Sequence, residues 1–170
     1  DLMQCVRGER VVLRVRGAAK EGPRYIDEEG VRARFGVAPG SIPDLLALCG
    51  DSADGIPGLP RFGERSAAAV LARYPRLEDI PADPAQWQQV SVRGAAALGE
   101  VLRAGREDAL LYRRLATLRE DVPITATLEA VAWAGPRLDL LAPLCERLGE
   151  GRLLAQLAQL APLSHASVAP

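Results

Sequence analysis

Apolar residues recur along most of the chain at the three- and four-residue spacing of amphipathic helices, whereas one short segment near the N-terminus partly alternates. That segment, residues 10–16 (RVVLRVR), is rich in β-branched residues and predicts a strand. Tyr25 and Ile26 are expected to pair with it across a turn at residues 17–23, forming a small hairpin. Helical spacing predicts further elements at residues 27–35, 44–49, 64–74, 92–104, 106–120, 138–148 and 151–160.

Capping and breaking residues predict several boundaries of these helices. Asp27 favours the start of the first helix, and Gly36 ends it. Ser91 is the expected N-cap of the helix at 92–104. Residues 39–43 begin and end with proline and predict a loop. The last residues, 162–170, are small or polar and predict a flexible tail.

Composition supports a mostly α fold. The chain has 170 residues, of which 48% are apolar and only 4% aromatic, so its core consists mainly of Leu, Val and Ala. A chain of this length can bury roughly 70% of its unfolded surface. Trp87 and Trp133 are expected to be packing anchors rather than platforms for stacked bases. Three arginines of the helix at 106–120 are expected on its exposed face: Arg113, Arg114 and Arg119.

Charge and cysteine content narrow the class of protein. The formal net charge is −1, which does not by itself indicate a nucleic-acid binder, but a balanced total can hide local polarity. The three cysteines are widely spaced and lack metal-binding spacing, so we expect them to be reduced, in a cytoplasmic protein. No segment reaches transmembrane length. The sequence begins with Asp1 rather than Met, inside an element, and we expect a fragment that lacks its N-terminal part.

The richest segment for chemistry is residues 50–67 (GDSADGIPGLPRFGERSA). Asp51 and Asp54 are spaced one helical turn apart and can share a hard cation. Acids at a helix C-terminus are repelled by the helix dipole, so two of them there need a compensating cation, although a solvated pair is the simpler alternative. The spacing and the Gly/Pro hairpin that follows favour the metal site.

The Gly/Pro hairpin after these acids predicts a phosphate-binding surface. Gly58 and Gly63 allow backbone N–H groups to approach an anion closely, and the start of the following helix adds partial positive charge. Arg65 would add charge and Ser66 a hydroxyl. The structural alternative is a tight corner between helices in which Ser66 only caps the helix. Backbone gripping carries no base information, so binding would be independent of sequence and sensitive to salt.

These residues resemble a known family. Residues 1–4 (DLMQ) are similar to the D-L-x-Q segment of bacterial 5′–3′ exonucleases, which are relatives of the 5′-nuclease domain of DNA polymerase I and of flap endonucleases. Residues 50–58 resemble their G-D-x-x-D-N-I-P-G motif, and residues 62–67 resemble the I-G-x-K-T-A that follows. Residues 110–123 (LLYRRLATLREDVP) are similar to a later helix of the family and its D-[LV]-P exit. The chain resembles the stand-alone type of exonuclease.

The resemblance implies a fold, with domain limits. Residues 1–26 would be the edge of an α/β (PIN-like) nuclease domain, residues 27–161 a helix–three-turn–helix (SAM- or helix–hairpin–helix-like) domain, and residues 162–170 the tail. It also implies the catalytic metal ligands Asp1, Asp51 and Asp54, with the remaining ligands upstream of this sequence. In the full-length protein they would hold two Mg²⁺ or Mn²⁺ ions, roughly 4 Å apart.

The implied partner is DNA, as a duplex with a 5′ end or flap, contacted through its backbone in repair or replication. The contacts would come from the hairpin residues Gly58, Arg61, Gly63, Arg65 and Ser66. No membrane is implied, and the protein is expected to be a monomer. A K⁺ ion at the hairpin carbonyls is a further implication, but Arg61 stands where the family commonly has glycine and takes positive φ less readily.

Two other functions are compatible with the sequence. A non-catalytic helix–hairpin–helix module would keep the hairpin and lack the upstream acids. A helical protein–protein adaptor would use the Gly/Pro corner only for structure and would show no salt-dependent binding to DNA.

Overall fold

The computed structural model describes residues 1–16, 22–87 and 90–160. These residues form eight α-helices and one two-stranded sheet, so the predicted mostly α fold is confirmed. The strands are β1 (Leu13–Val15) and β2 (Arg24–Ile26). The helices are α1 (Glu28–Phe35), α2 (Ile42–Cys49), α3 (Glu64–Arg73), α4 (Ala95–Ala104), α5 (Arg106–Ala116), α6 (Leu128–Val131), α7 (Leu138–Leu148) and α8 (Gly151–Ala158).

The chain divides into two compact units, Asp1–Glu120 and the residues from Asp121 onward. The domain limits expected at residues 26 and 161 stay predictions. Among the described residues, no helix is both long and apolar enough to cross a membrane.

The N-terminal hairpin forms as predicted, over fewer residues. β1 and β2 are antiparallel, with Leu13 opposite Ile26 and Val15 opposite Arg24. Leu13 and Ile26 are half-buried and pack against the core of the first unit. Residues 17–21 of the predicted turn lie outside the described residues.

α2 lies at the centre of the first unit. It packs against both α3 and α5, and its sequence IPDLLALC is almost entirely apolar, as expected of a helix surrounded by others. Leu45 and Leu48 are buried as predicted, and Leu46 is half-buried. Trp87 is also buried, and its indole N–H donates to the carbonyl of Pro81, which confirms its packing role.

Helix starts differ from the predictions at two places. The loop expected at 39–43 is a 3₁₀ turn at Pro39–Ser41 followed directly by α2, because proline is tolerated in the first turn, where helical amides have no partner within the helix. α4 begins at Ala95 after Gly94, whose φ is 78°. The prediction that Ser91 caps this helix is therefore wrong.

A buried ionic cluster joins α2, α5 and the 3₁₀ turn at Leu77–Asp79. The carboxylate of Asp44 is fully buried and accepts hydrogen bonds from the backbone N–H of Leu77 at 3.0 Å and from Arg113 at 3.3 Å. Burial raises the pKa of Asp44, although Leu77 and Arg113 oppose this. Arg113 also donates two hydrogen bonds to Glu78, at 2.5 and 2.6 Å, and these lower the pKa of Glu78 to about 2.

This cluster corrects the prediction for the arginines of α5. The side chain of Arg113 is only 24% exposed, so it does not lie on the solvent face of the helix. Arg114 and Arg119 are exposed, as predicted.

The second unit contains α6, α7 and α8. α7 and α8 pack against each other, and Gly149 ends α7 in the left-handed conformation, with φ 70°. Cys145 is buried in this unit, and all three cysteines are free. Trp133 is 42% exposed, so its predicted role as a packing anchor is wrong. The tail predicted at 162–170 lies outside the described residues.

Candidate functional site

Asp51 and Asp54 lie on a tight turn rather than on one face of a helix. α2 ends at Gly50, whose φ of 85° redirects the chain. Asp51 and Ile56 then exchange two backbone hydrogen bonds of 2.8 Å, and Asp51 Oδ1 accepts the N–H of Ala53 at 3.0 Å. The four residues between this pair form the turn that carries Asp54, so the two carboxylates are brought together by a local hairpin.

Gln4 holds Asp1 in place through contacts distant in sequence. The Gln4 side-chain amide donates to the carbonyls of Asp1 at 3.1 Å and Ala116 at 3.0 Å, and its oxygen accepts the N–H of Leu118 at 3.0 Å. These bonds replace helical bonding beyond Ala116, which explains why α5 ends there rather than at residue 120. They also attach the N-terminal turn to the end of α5.

The three predicted metal ligands meet on the surface. One carboxylate oxygen from each of Asp1, Asp51 and Asp54 lies within 4.8 Å of the others. Asp51 is half-buried, and the other two are exposed. None of the three makes an ion pair with a basic side chain in the described part of the chain. At this separation each pair of charges repels by about 1 kcal/mol even in water, so a hard cation would stabilise the group.

Two glycines allow the hairpin to pack directly against the end of α2. A Cβ at Gly58 would lie 2.4 Å from the backbone nitrogen of Gly50, and a Cβ at Gly50 would lie 2.8 Å from the carbonyl oxygen of Pro57. The N–H of Leu59 donates to the carbonyl of Leu48 at 2.8 Å, beside this crossing. Gly58 is buried with φ 69°, so the structure gives this predicted DNA contact a packing role.

Arg61 adopts the conformation that glycine would take. Its φ is 67°, and it is the one non-glycine residue with positive φ in the part of the chain that the structure describes. The neighbouring Phe62 is buried in the core and anchors the loop on that side. Arg61 thus adopts a positive φ despite the lower preference of arginine for it, and the K⁺ site at the hairpin stays a prediction.

The first turn of α3 has backbone N–H groups that are available to a ligand. The N–H of Gly63 is not among them, because it already has an acceptor. The N–H of Gly63 donates to Ser66 Oγ at 3.0 Å, and this hydroxyl donates back to the Gly63 carbonyl at 2.9 Å. Ser66 thus caps the helix, as the structural alternative has it. The N–H groups of the first helical turn, residues 64–66, have no acceptor within the helix and face outward at its positive end.

The predicted DNA-contacting residues are therefore only partly together. Arg61, Gly63 and Arg65 are exposed around the start of α3, and Ser66 is half-buried beside them. Gly63 has φ −110°, and an added Cβ would meet no atom within 4 Å, so a side chain there is tolerated without backbone strain. Their contacts with DNA stay predictions.

Gln4 is the residue that the sequence reasoning left without a role. It appears in the DLMQ motif, but a glutamine between apolar residues gives no signal of a partner more than a hundred positions away. Only its position within the motif could have indicated it.

Comparisons with known proteins find one protein family and its relatives. A sequence profile described as "5'-3' exonuclease, C-terminal SAM fold" matches residues 37–139. The chain is 37% identical to DNA polymerase I of Synechocystis over 153 residues and 36% identical to DNA polymerase I of Bacillus caldotenax over 121 residues. It is 31% identical to a 5'-3' exonuclease of Buchnera aphidicola over 111 residues.

These alignments cover much of the chain and little of the relatives. They include 87%, 71% and 65% of the chain, respectively, but 15% and 13% of the two polymerases and 37% of the exonuclease. Both kinds of relative match, so the expectation of a stand-alone exonuclease stays a prediction.

Proposed function

The chain belongs to the 5′-3′ exonuclease family with a C-terminal SAM fold, and from this premise we propose that it is the DNA-binding part of a metal-dependent 5′–3′ exonuclease or flap endonuclease. The whole protein would hydrolyse DNA phosphodiester bonds from 5′ ends or flaps. The observation that carries the proposal is the convergence of Asp1, Asp51 and Asp54, whose carboxylate oxygens lie within 4.8 Å of one another.

The donor set fits a hard divalent cation. Carboxylate oxygens are the ligands that Mg²⁺ and Mn²⁺ prefer, and the three residues offer them on one surface, with none of them paired to an arginine in the part of the chain that the structure describes. When bound, paired ions activate water and stabilise the leaving oxygen. In this proposal Asp1, Asp51 and Asp54 hold the metal, while Gln4 positions Asp1 through its bonds to α5.

The start of α3 would bind the DNA backbone. Its outward amides and the exposed guanidinium of Arg65 offer donors to a phosphate, although the exposed carboxylate of Glu64 offsets the charge of Arg65 there. Arg61 adds a second exposed guanidinium on the hairpin, whose carbonyls would also accommodate K⁺. Contacts of this kind read phosphates and no bases, so binding would be independent of sequence.

Substitution of Asp54 tests the proposal in the full-length protein. Asp54→Asn removes one ligand charge and is expected to reduce Mg²⁺-dependent cleavage of a 5′-flap substrate by orders of magnitude, with DNA binding largely retained. The control is Asp79→Asn, which removes an exposed carboxylate from the distant 3₁₀ turn and should leave both quantities unchanged.

Other outcomes would favour the alternatives. Unchanged cleavage by the Asp54→Asn protein would remove Asp54 from the metal site. Salt-dependent DNA binding without any cleavage by the wild-type protein would indicate the non-catalytic helix–hairpin–helix module. Absence of both DNA binding and cleavage would indicate the helical protein–protein adaptor.

A further inference from the structure

The end of α1 lies directly against the start of α3. Gly36 terminates α1 with φ 72°, and a Cβ added to it would lie 3.3 Å from the Cβ of Ala68 in the second turn of α3. Two small residues thus allow close approach of the helices at this point. As a result, the last turn of α1 lies beside the surface on which Arg65 is exposed.

A cleft of about 370 Å³ forms between these helix ends. It is lined by Arg34, Phe35, Gly36, Glu64, Arg65 and Ala68. Arg34 and Arg65 are both exposed, and neither makes an ion pair among the described residues. Glu64 is the one acid of the lining and occupies the first position of α3, where the helix dipole favours a carboxylate. The lining therefore carries an excess of one positive charge, and no ion pair among the described residues neutralises either arginine.

The guanidinium of Arg34 lies over an aromatic ring. Its Cζ lies over the ring of Phe35, 5.1 Å from the centroid, and Phe35 packs against the core of the first unit. A cation–π contact of this kind is worth about 0.5–1 kcal/mol at an exposed site. It limits the motion of a side chain that would otherwise be mobile, so less entropy is lost when the guanidinium binds an anion.

We propose that this cleft lies between two neighbouring DNA phosphates, one contacted by Arg34 from the end of α1 and the other by Arg65 at the start of α3. The contact surface then extends from the hairpin onto α1, which neither the Gly/Pro motif nor the acid pair indicates. This inference rests on the proposed function, since it assumes that the hairpin face binds a duplex. A guanidinium suits a phosphate because its planar donors match the oxygens of the anion.

The test is a salt titration of duplex DNA binding by the 170-residue chain, followed by fluorescence anisotropy. For B-DNA, each neutralised phosphate contributes about 0.9 to the slope of log K against log salt concentration. Arg34→Gln should therefore reduce the slope by about 0.9. If the affinities converge at 1 M salt, this corresponds to about eightfold weaker binding at 0.1 M.

Arg73→Gln is the matched control. Arg73 is likewise exposed and lies over the ring of the next residue, Tyr74, at 5.2 Å from the centroid. It stands at the other end of α3, about 12 Å from Arg65 along the helix axis. Its substitution should leave the slope at the wild-type value. Arg34→Lys, which keeps the charge, should restore most of the slope, and circular dichroism should show the same helix content for all variants.

The double variant Arg34→Gln/Arg65→Gln distinguishes one phosphate from two. Two separate contacts predict a loss of about 1.8 in slope, whereas a shared phosphate predicts a loss of about 0.9 and would overturn the proposal.

Failure of this inference can be separated from failure of the proposed function. If Arg34→Gln matches Arg73→Gln while Arg65→Gln lowers the slope, Arg34 does not contact DNA, and the proposed function stands. If the wild-type chain shows no salt-dependent binding, both are overturned.

Discussion

Gly58 is the residue where the hairpin and the end of α2 come closest. Its left-handed conformation and its contact with the backbone of Gly50 both exclude a side chain. The partner atoms are backbone atoms, which cannot move away as the end of a flexible side chain could. This position therefore determines how the turn with Asp51 and Asp54 is joined to the loop that leads to α3.

We expect Gly58→Ala to destabilise the chain by about 2–5 kcal/mol. About 1–2 kcal/mol comes from the left-handed conformation and about 1–3 kcal/mol from overpacking against Gly50. Gly55→Ala is the control, because Gly55 has nearly the same φ, 71°, but an added Cβ meets no atom within 4 Å. Gly55→Ala should therefore destabilise the chain only by about 1–2 kcal/mol, the part that comes from the left-handed conformation. Urea unfolding measures both, and equal losses would show that the contact with Gly50 does not matter.

At the scale of elements, the buried cluster of Asp44 fixes α2 against α5. Asp44 receives one backbone amide and the guanidinium of Arg113, while Arg76 lies 3.7 Å away. One of its oxygens is buried without a hydrogen bond. Because the charge of this buried carboxylate is only partly balanced, the stability of the fold depends strongly on each cation beside it.

Arg113→Met should therefore destabilise the chain by about 3 kcal/mol, because it leaves the carboxylate of Asp44 buried with fewer partners. The difference in free energy of unfolding between this variant and the wild type should become smaller as the pH falls. The pKa of Asp44 is already raised by burial, and its protonated form, which predominates below that pKa, needs no cation. Arg114→Met, at the exposed neighbouring position, should change stability by less than about 0.5 kcal/mol. Similar unfolding midpoints for the two variants would contradict this account.

The elements that the sequence predicted well are those specified by local pattern. The β hairpin and the start and end of α1 follow from alternation and capping, which depend on neighbouring residues. The errors arose where distant residues decide. α5 ends where Gln4 takes over its hydrogen bonds, and Arg113 turns inward because Asp44 lies beneath it. The acid pair was correctly placed in one cluster, but through a turn rather than a helix.

At the scale of the whole molecule, we expect the 170-residue chain to bind duplex DNA and to hydrolyse it at no useful rate in Mg²⁺. Two ions need more protein ligands than the three carboxylates that meet here, and the exonuclease relative is much longer than the matched region. A fluorescent 5′-flap substrate measures cleavage, with the full-length protein as the positive control. Robust cleavage by the purified chain, abolished by EDTA, would place the entire active site within it.

The close backbone contact between Gly50 and Gly58 has a consequence for where DNA would be cut. Residues 48–66 carry two of the acids, Asp51 and Asp54, and the outward amides of α3. The contact between Gly50 and Gly58 fixes the distance between the acids and these amides. Under the proposed function, the number of nucleotides between the held phosphate and the broken bond is then a property of this one peptide segment. Apart from Asp1 and Gln4, which also place the metal, changes elsewhere could alter how long DNA stays bound or how fast it is cut, while the position of the cut would stay the same.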